Sequence, residues 1–306
     1  MIGCEGENAL EEKIAEIPID LDIVRFEQEF YGNTTLSLSD LKAKYPYFFP
    51  EQYADSVWQT RMRDSLQLAL FAEVNKTFGD FSKEENQVED LFQHIKYYFP
   101  NQRIPKVITL MSDVDYENKV IYADSLLLVS VDTYLGEENP LYDGISQYKR
   151  YPMYKGRLTS DMTDAIIAPR IASPENRTLL ARMLYYGKLH YAKDLLLPAE
   201  DDAVKIGYSV QDIDWVEANE EYMWKYFIEN GLLYSTDHKL QQRFIDDAPF
   251  SKFFLEFDQE SPGSVGQWIG WQVVRSFMKN NEVSLQALFE MDSETLFKKS
   301  KYKPKR

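Results

Sequence analysis

Apolar residues recur at three- and four-residue steps through residues 179–197, LLARMLYYGKLHYAKDLLL, where Leu180, Met183, Leu184 and Tyr191, with Gly187 among them, mark one face of a long core helix. Upstream, Trp58, Met62, Leu66, Leu70 and Val74 keep a four-residue step that predicts one helix over 56–78, stopped by Gly79. A second helix over 83–99 carries Val88, Leu91, Phe92, Ile95 and Phe99 inward and ends at Pro100. His94 within it reads as a packed or hydrogen-bonded residue, not a ligand. Ser37 offers a cap for a short helix ending near Tyr45-Pro46, and the aromatics between Pro46 and Pro50 predict a core plug.

The period changes elsewhere. Ile17, Ile19, Leu21 and Ile23 alternate with polar residues and predict a short strand, and three β-rich pieces follow at 106–111, 119–123 and 125–131, with a turn at Asp124. These make a small twisted sheet. The rest is helical: 161–168 broken by Pro169, the central helix started by Ser173-Pro174-Glu175, and 211–228 capped by Ser209 and closed by Gly231. Shorter helices follow at 238–244 and 285–297. In the helix after Ser261-Pro262-Gly263-Ser264, Gly266 and Gly270 stand one turn apart and allow a second backbone to approach closely. The expected fold is α+β, mostly helical, with residues 1–16 as a flexible tether and 17–306 as a single domain. Its sheet-containing half runs to about 160.

At 306 residues and 44% apolar content, the chain has enough material for a sizeable core. The net charge of −16 disfavours nucleic acid as a partner. No apolar run reaches the roughly 20 residues a membrane-spanning helix needs, so attachment to a bilayer would need another device. The one cysteine, Cys4, excludes an intramolecular disulfide. Met1-Ile2-Gly3-Cys4 matches the end of a bacterial lipoprotein signal without its basic start or longer apolar region, and acidic residues follow. Cys4 is therefore the candidate lipidation site.

Candidate chemistry centres on the long helix. Gly187, Lys188 and Tyr191 occupy the spacing at which a His-Glu-x-x-His helix presents two imidazoles to zinc and a carboxylate to water. Glycine has no ligand atom, lysine has the wrong charge for a general base, and tyrosine is a poor zinc ligand. No metal and no cofactor are expected. A buried lysine needs a partner, which predicts an ion pair from Lys188 to Glu220, or failing that to Glu217. A carboxylate-rich cluster of Glu220, Glu217, Asp132, Asp214, His190 and His238 would be the basis of an alternative, an unconventional hydrolase.

Taken in order, Tyr97-Tyr98-Phe99-Pro100, Asp132-Thr133-Tyr134-Leu135-Gly136, Tyr186-Gly187-Lys188, Asn219-Glu220, Ala248-Pro249-Phe250-Ser251-Lys252, Ser261-Pro262-Gly263 and the lysine-rich end from Ser300 resemble the gliding-motility lipoprotein GldB family of Bacteroidetes. The resemblance runs from about Phe26 to Lys305. It implies a lipid-anchored, periplasm-facing protein whose partners are other proteins of the gliding or linked secretion apparatus, with the membrane reached only through the lipid. The family also looks distantly similar to zincin peptidases. That likeness would make 125–131 the substrate-binding edge strand, 175–197 the active-site helix and 211–228 the helix supplying Glu220 at the third ligand position. Gly187, Lys188, Tyr191 and Glu220 are then degenerate-site positions, and Asp132, Tyr134, His190, Glu217 and Trp224 a possible groove. The expected role is a non-catalytic binding or assembly module.

Overall fold

The computed structural model describes residues 3–32, 35–123, 125–174, 176–256 and 258–305, with side chains from residue 8 onward. Helices dominate, and four short strands make one mixed sheet, the α+β class that the periodicity predicts. The chain divides into two compact units, Met1–Gly144 with Met153–Met162, and Ile145–Pro152 with Thr163–Arg306. The sheet belongs to the first, and the second is helical.

The first unit opens with α1 (Gly3–Ala15), which falls within the segment expected to be a tether. Its second half is anchored: Ile14 is buried, and Glu11 meets the Nε2 of His94 at 3.0 Å. The Cys4 side chain lies outside the described residues. Of the strand expected from Ile17, only β1 (Ile23–Arg25) forms, followed by α2 (Phe26–Tyr31) and α3 (Leu38–Lys44). Ser37 caps α3 in a reciprocal box with Asp40, as the spacing predicts. Phe30, Leu41, Tyr45 and Phe49 form a cluster, while Tyr47 stays exposed, so the expected plug is only partly buried.

The helix predicted over 56–78 is two, α4 (Asp55–Arg61) and α5 (Ser65–Phe78). Asp64 explains the break: its carboxylate accepts from the amides of Leu66 and Gln67, both at 3.0 Å, and starts a new helix. The four-residue register is lost there, leaving Leu66 73% exposed. After α6 (Ser82–Tyr98) come β2 (Lys106–Leu110), β3 (Val120–Ala123) and β4 (Leu126–Ser130). The strand order is β1-β2-β4-β3, with β1, β2 and β4 parallel and β3 antiparallel to β4. The expected edge strand is thus an interior one, paired on both sides. The turn expected at Asp124 lies outside the described residues.

In the second unit α7 (Gln147–Arg150) precedes α8 (Leu158–Ile167), which begins in the first unit and ends in the second. The central helix is α9 (Leu179–Leu196). Its start is not Ser173-Pro174-Glu175, of which Glu175 lies outside the described residues, but Thr178, whose hydroxyl accepts from the Ala181 amide at 3.2 Å. Next come α10 (Asp202–Ile206), α11 (Val210–Ala218) and α12 (Glu220–Glu229), the last two replacing the single helix expected to 228. Ser209 caps α11 in a box with Asp212, and Asn219 turns its amide onto the Trp215 carbonyl at 2.8 Å, ending the helix. Then follow α13 (Lys239–Phe244), α14 (Val265–Asn280), α15 (Leu285–Glu290) and α16 (Ser293–Ser300). The helix expected over 285–297 is broken by Met291-Asp292, where Asp292 caps α16 through the Thr295 amide at 2.8 Å.

Candidate functional site

Two helices define the centre of the second unit. α9 and α14 make its most extensive helix pair, and the reason is glycine. A Cβ on Gly187 would stand 2.9 Å from the Trp271 nitrogen and closer still to the Gly270 carbonyl. A Cβ on Gly270 would in turn overlap the Met183 carbonyl and come within 3.1 Å of its Cα. The helices cross backbone against backbone at a point where no side chain fits. The close approach expected at Gly266 and Gly270 is present, and Gly187 is its complement.

That crossing occupies the place where a zinc helix would present its first imidazole. Lys188 turns away from it and donates to two carbonyls, Phe289 at 3.1 Å and Met291 at 2.6 Å. It is 4% exposed, and burial lowers its ammonium to about 8, a shift that Glu290 and Asp292 oppose. The expected ion pair to Glu220 does not form. Glu220 is buried and accepts from the Tyr302 hydroxyl at 2.8 Å and the Lys305 amide at 3.0 Å, binding the C-terminal segment. Glu217 meets Lys305 Nζ at 3.2 Å, and Trp224 packs edge-on against Tyr302 with ring centroids 5.1 Å apart. Those three residues hold a strap, not a groove.

His190 lies beside Trp271 with ring centroids 5.3 Å apart, and its Nε2 is 3.0 Å from Gln267 Oε1. The Gln267 amide nitrogen donates to the Ile245 carbonyl, so its oxygen must accept, which places the imidazole proton on Nε2. Tyr191 is partly buried, and desolvation raises its hydroxyl. His238 is exposed, with Asp237 at 3.7 Å. The expected cluster therefore does not assemble among these second-unit residues. Glu220 and Glu217 share the C-terminal segment, while His190 and His238 meet other residues.

Asp132 and Tyr134 belong to the first unit. Asp132 follows β4, is wholly buried, and accepts from the amides of Ser112 at 3.0 Å and Val114 at 2.8 Å. Burial pushes its carboxyl up to about 6 against the pull of those amides. Asp113 and Val114 both adopt positive φ, 63° and 60°, and Asp132 holds them there. Tyr134 donates to Asp161 at 3.1 Å. Both residues pin loops.

Sequence reasoning missed a cleft of about 200 Å³ over Lys188, lined by Tyr185 of α9, by Glu290, by the Met291-Asp292 connector and by the first turn of α16. The signal was the Asp292-Ser293-x-Thr295 capping pattern, which splits the last helical stretch and creates the carbonyl that Lys188 uses. Among the described residues no group of three or more histidine, cysteine, aspartate or glutamate side chains is placed to hold a metal ion. None of the described helices is long and apolar enough to cross a membrane.

Residues 7–304 match the family described as gliding motility protein GldB. Comparison with curated proteins and with solved structures returns no match. The match spans nearly the whole chain, and the chain belongs to the GldB family of gliding motility lipoproteins.

Proposed function

We propose that this GldB-family chain is a non-catalytic binding or assembly component of the gliding or linked secretion machinery, held to a bacterial membrane through a lipid on Cys4 and facing the periplasm. One observation carries the non-catalytic reading: the helix crossing at Gly187 and Gly270 fills the position at which a peptidase of the zincin type would carry its chemistry. A backbone packed against a backbone leaves no room there for metal, water or substrate. Packing also accounts for the Gly187-Lys188-x-x-Tyr191 sequence without any appeal to a lost zinc site. The strand expected to hold an extended substrate, β4, is interior, and the antiparallel edge strand is β3.

The candidate acid and base groups add support, because each is engaged in holding structure. Asp132 fixes a loop, His190 joins Gln267, and Glu220 fastens the strap. The test is complementation of a gliding bacterium that lacks its own copy of the gene. Asp132→Asn, His190→Gln and Glu217→Gln, each first shown to fold, are expected to restore gliding, while Cys4→Ser is expected to lose both membrane association and gliding. A folded Asp132→Asn or His190→Gln protein that fails to restore movement, together with cleavage of a peptide library by the wild type, would overturn this reading in favour of the hydrolase.

A further inference from the structure

The cleft over Lys188 has the makings of a site of its own. We infer that it binds a small zwitterion, a molecule carrying a carboxylate and an ammonium a few bonds apart, of which a free α-amino acid is the simplest. This goes beyond the assembly role and stands independently of it, since its readout is binding in solution and not gliding.

Two buried lysines on α9 differ in their partners. Lys193, wholly buried, meets the Asp164 carboxylate at 2.7 Å and the Lys205 carbonyl at 2.7 Å. Lys188, five residues earlier and nearly as buried, meets two carbonyls and, among the described residues, no carboxylate within ion-pair distance, Glu290 and Asp292 acting on it only at longer range. An ammonium has three donors, and the carbonyls of Phe289 and Met291 accept two. The remaining donor belongs to a group that lines an open cleft. Glu290 and Asp292 favour the ammonium as charges without accepting from it, and a ligand carboxylate placed there would supply a directly bonded counter-charge and the missing acceptor. The first turn of α16, with Ser293 and Glu294 on the cleft wall, presents the positive end of a helix toward the same space.

The other charges on the wall decide between kinds of anion. Glu290, Asp292 and Glu294 line the cleft, with Lys298 as the second cation. Asp292 caps α16 and Glu294 pairs with Lys298 at 3.1 Å, which leaves the exposed Glu290 as the carboxylate best placed for a ligand ammonium. A phosphate would carry more negative charge into this acidic rim and is disfavoured. One carboxylate toward Lys188 and one ammonium toward Glu290 satisfies both ends. The volume of about 200 Å³ suits a molecule of amino-acid size, below the pockets of roughly 300 Å³ and more that hold drug-sized ligands.

The experiment is calorimetric or ligand-observed NMR titration of the full chain with L-serine, L-alanine, acetate, ethylammonium and inorganic phosphate. The zwitterions are expected to bind about tenfold or more tightly than acetate or ethylammonium. Lys188→Met is expected to weaken them by about tenfold or more, whereas Glu290→Gln, an exposed change that leaves the fold alone, should weaken the zwitterions severalfold and leave acetate unaffected. Serine bound no more tightly than acetate, phosphate bound more tightly than serine, or a folded Lys188→Met protein that binds serine as the wild type does would each overturn the inference. Should Lys188→Met not fold, Glu290→Gln decides alone: unchanged serine affinity in that variant refutes the site.

Discussion

The helix crossing at Gly187 can be tested by adding a single methyl group. In an ordinary helix interior Gly→Ala stabilises by about 1 kcal/mol through backbone entropy. At Gly187 the new Cβ would meet the carbonyl of Gly270 and the amide of Trp271, backbone atoms of a buried helix that cannot rotate aside as a side chain would. α9 and α14 must separate, by about 1 Å if the contact is to relax to ordinary van der Waals distance. A gap of that size forfeits about a quarter or more of each dispersion contact, and with about 4 kcal/mol of such contacts per buried side chain the loss is about 1 kcal/mol for each. The buried residues near the crossing include Met183, His190 and Trp271, so this loss comes to about 3 kcal/mol. Overpacking strain of about 1–3 kcal/mol adds to it, and the helix-propensity gain of about 1 kcal/mol subtracts. Urea denaturation of Gly187→Ala should show a net loss of about 3–5 kcal/mol. Gly231→Ala is the contrast: no atom crowds its Cβ, but its φ of +62° makes alanine strained, at a cost of about 1–2 kcal/mol. A Gly187→Ala protein as stable as the wild type would refute the backbone crossing, and with it the argument that packing has replaced chemistry at this helix.

Three further outcomes follow from the buried charges. The Lys188 ammonium is lowered from its ordinary 10.5 to about 8, so the folded chain carries a penalty of about 3 kcal/mol that is complete below pH 8, shrinks as pH rises from 8 to 10.5, and is absent above. Lys188→Met exchanges that penalty for two unpaired carbonyls and should stay within about 1 kcal/mol of wild type at pH 7, while Lys188→Ala, which also opens a hole, should cost about 2–3 kcal/mol. The rise in stability of the wild type relative to Lys188→Met between pH 8 and 10.5 is the check, and parallel pH profiles would dispose of it. Asp132 is raised from 3.8 to about 6, so the stability it contributes as a protonated group is complete below pH 3.8 and lost as pH passes through 6. Asp132→Asn should therefore gain on the wild type by about 3 kcal/mol across that window, as read by denaturant melts at pH 4 and pH 7, and an unchanged difference refutes the raised carboxyl. Removing residues 302–306 uncovers Trp224 and leaves Glu220 buried without its two donors, which should cost about 2–4 kcal/mol and alter tryptophan emission. An unaltered melt would show that the strap does not hold.

The legible parts of this molecule are those whose cause is local. Ser37 with Asp40 and Ser209 with Asp212 each complete a capping box within four residues, and both start a helix as read. The three β-rich pieces at 106–131 became strands because branched and large apolar side chains decide that locally, but their order did not follow from composition. Where a polar residue offered the backbone a competing bond, periodicity misled: Asp64, Asn219 and Asp292 each broke a run whose apolar spacing ran on through the break. The central site was half legible. Gly266 and Gly270 declared that a backbone comes close, and Gly187 lay on the inward face of the long helix, yet nothing in either segment says that each is the other's partner. Read alone, Gly187 looked like a ligand lost; read as one side of a crossing, it is the residue that lets α9 and α14 meet. The expectation for Lys188 came from the first of these readings, because a lysine beside a vacated metal site was assigned a suitable carboxylate, Glu220. The structure gives it carbonyls created by a helix break some hundred residues away, a partner that no charge pattern encodes. What sequence could not place is thus the same thing that makes the Lys188 cleft: a buried cation bonded to two carbonyls, with Glu290 and Asp292 acting on it as charges but not accepting from it.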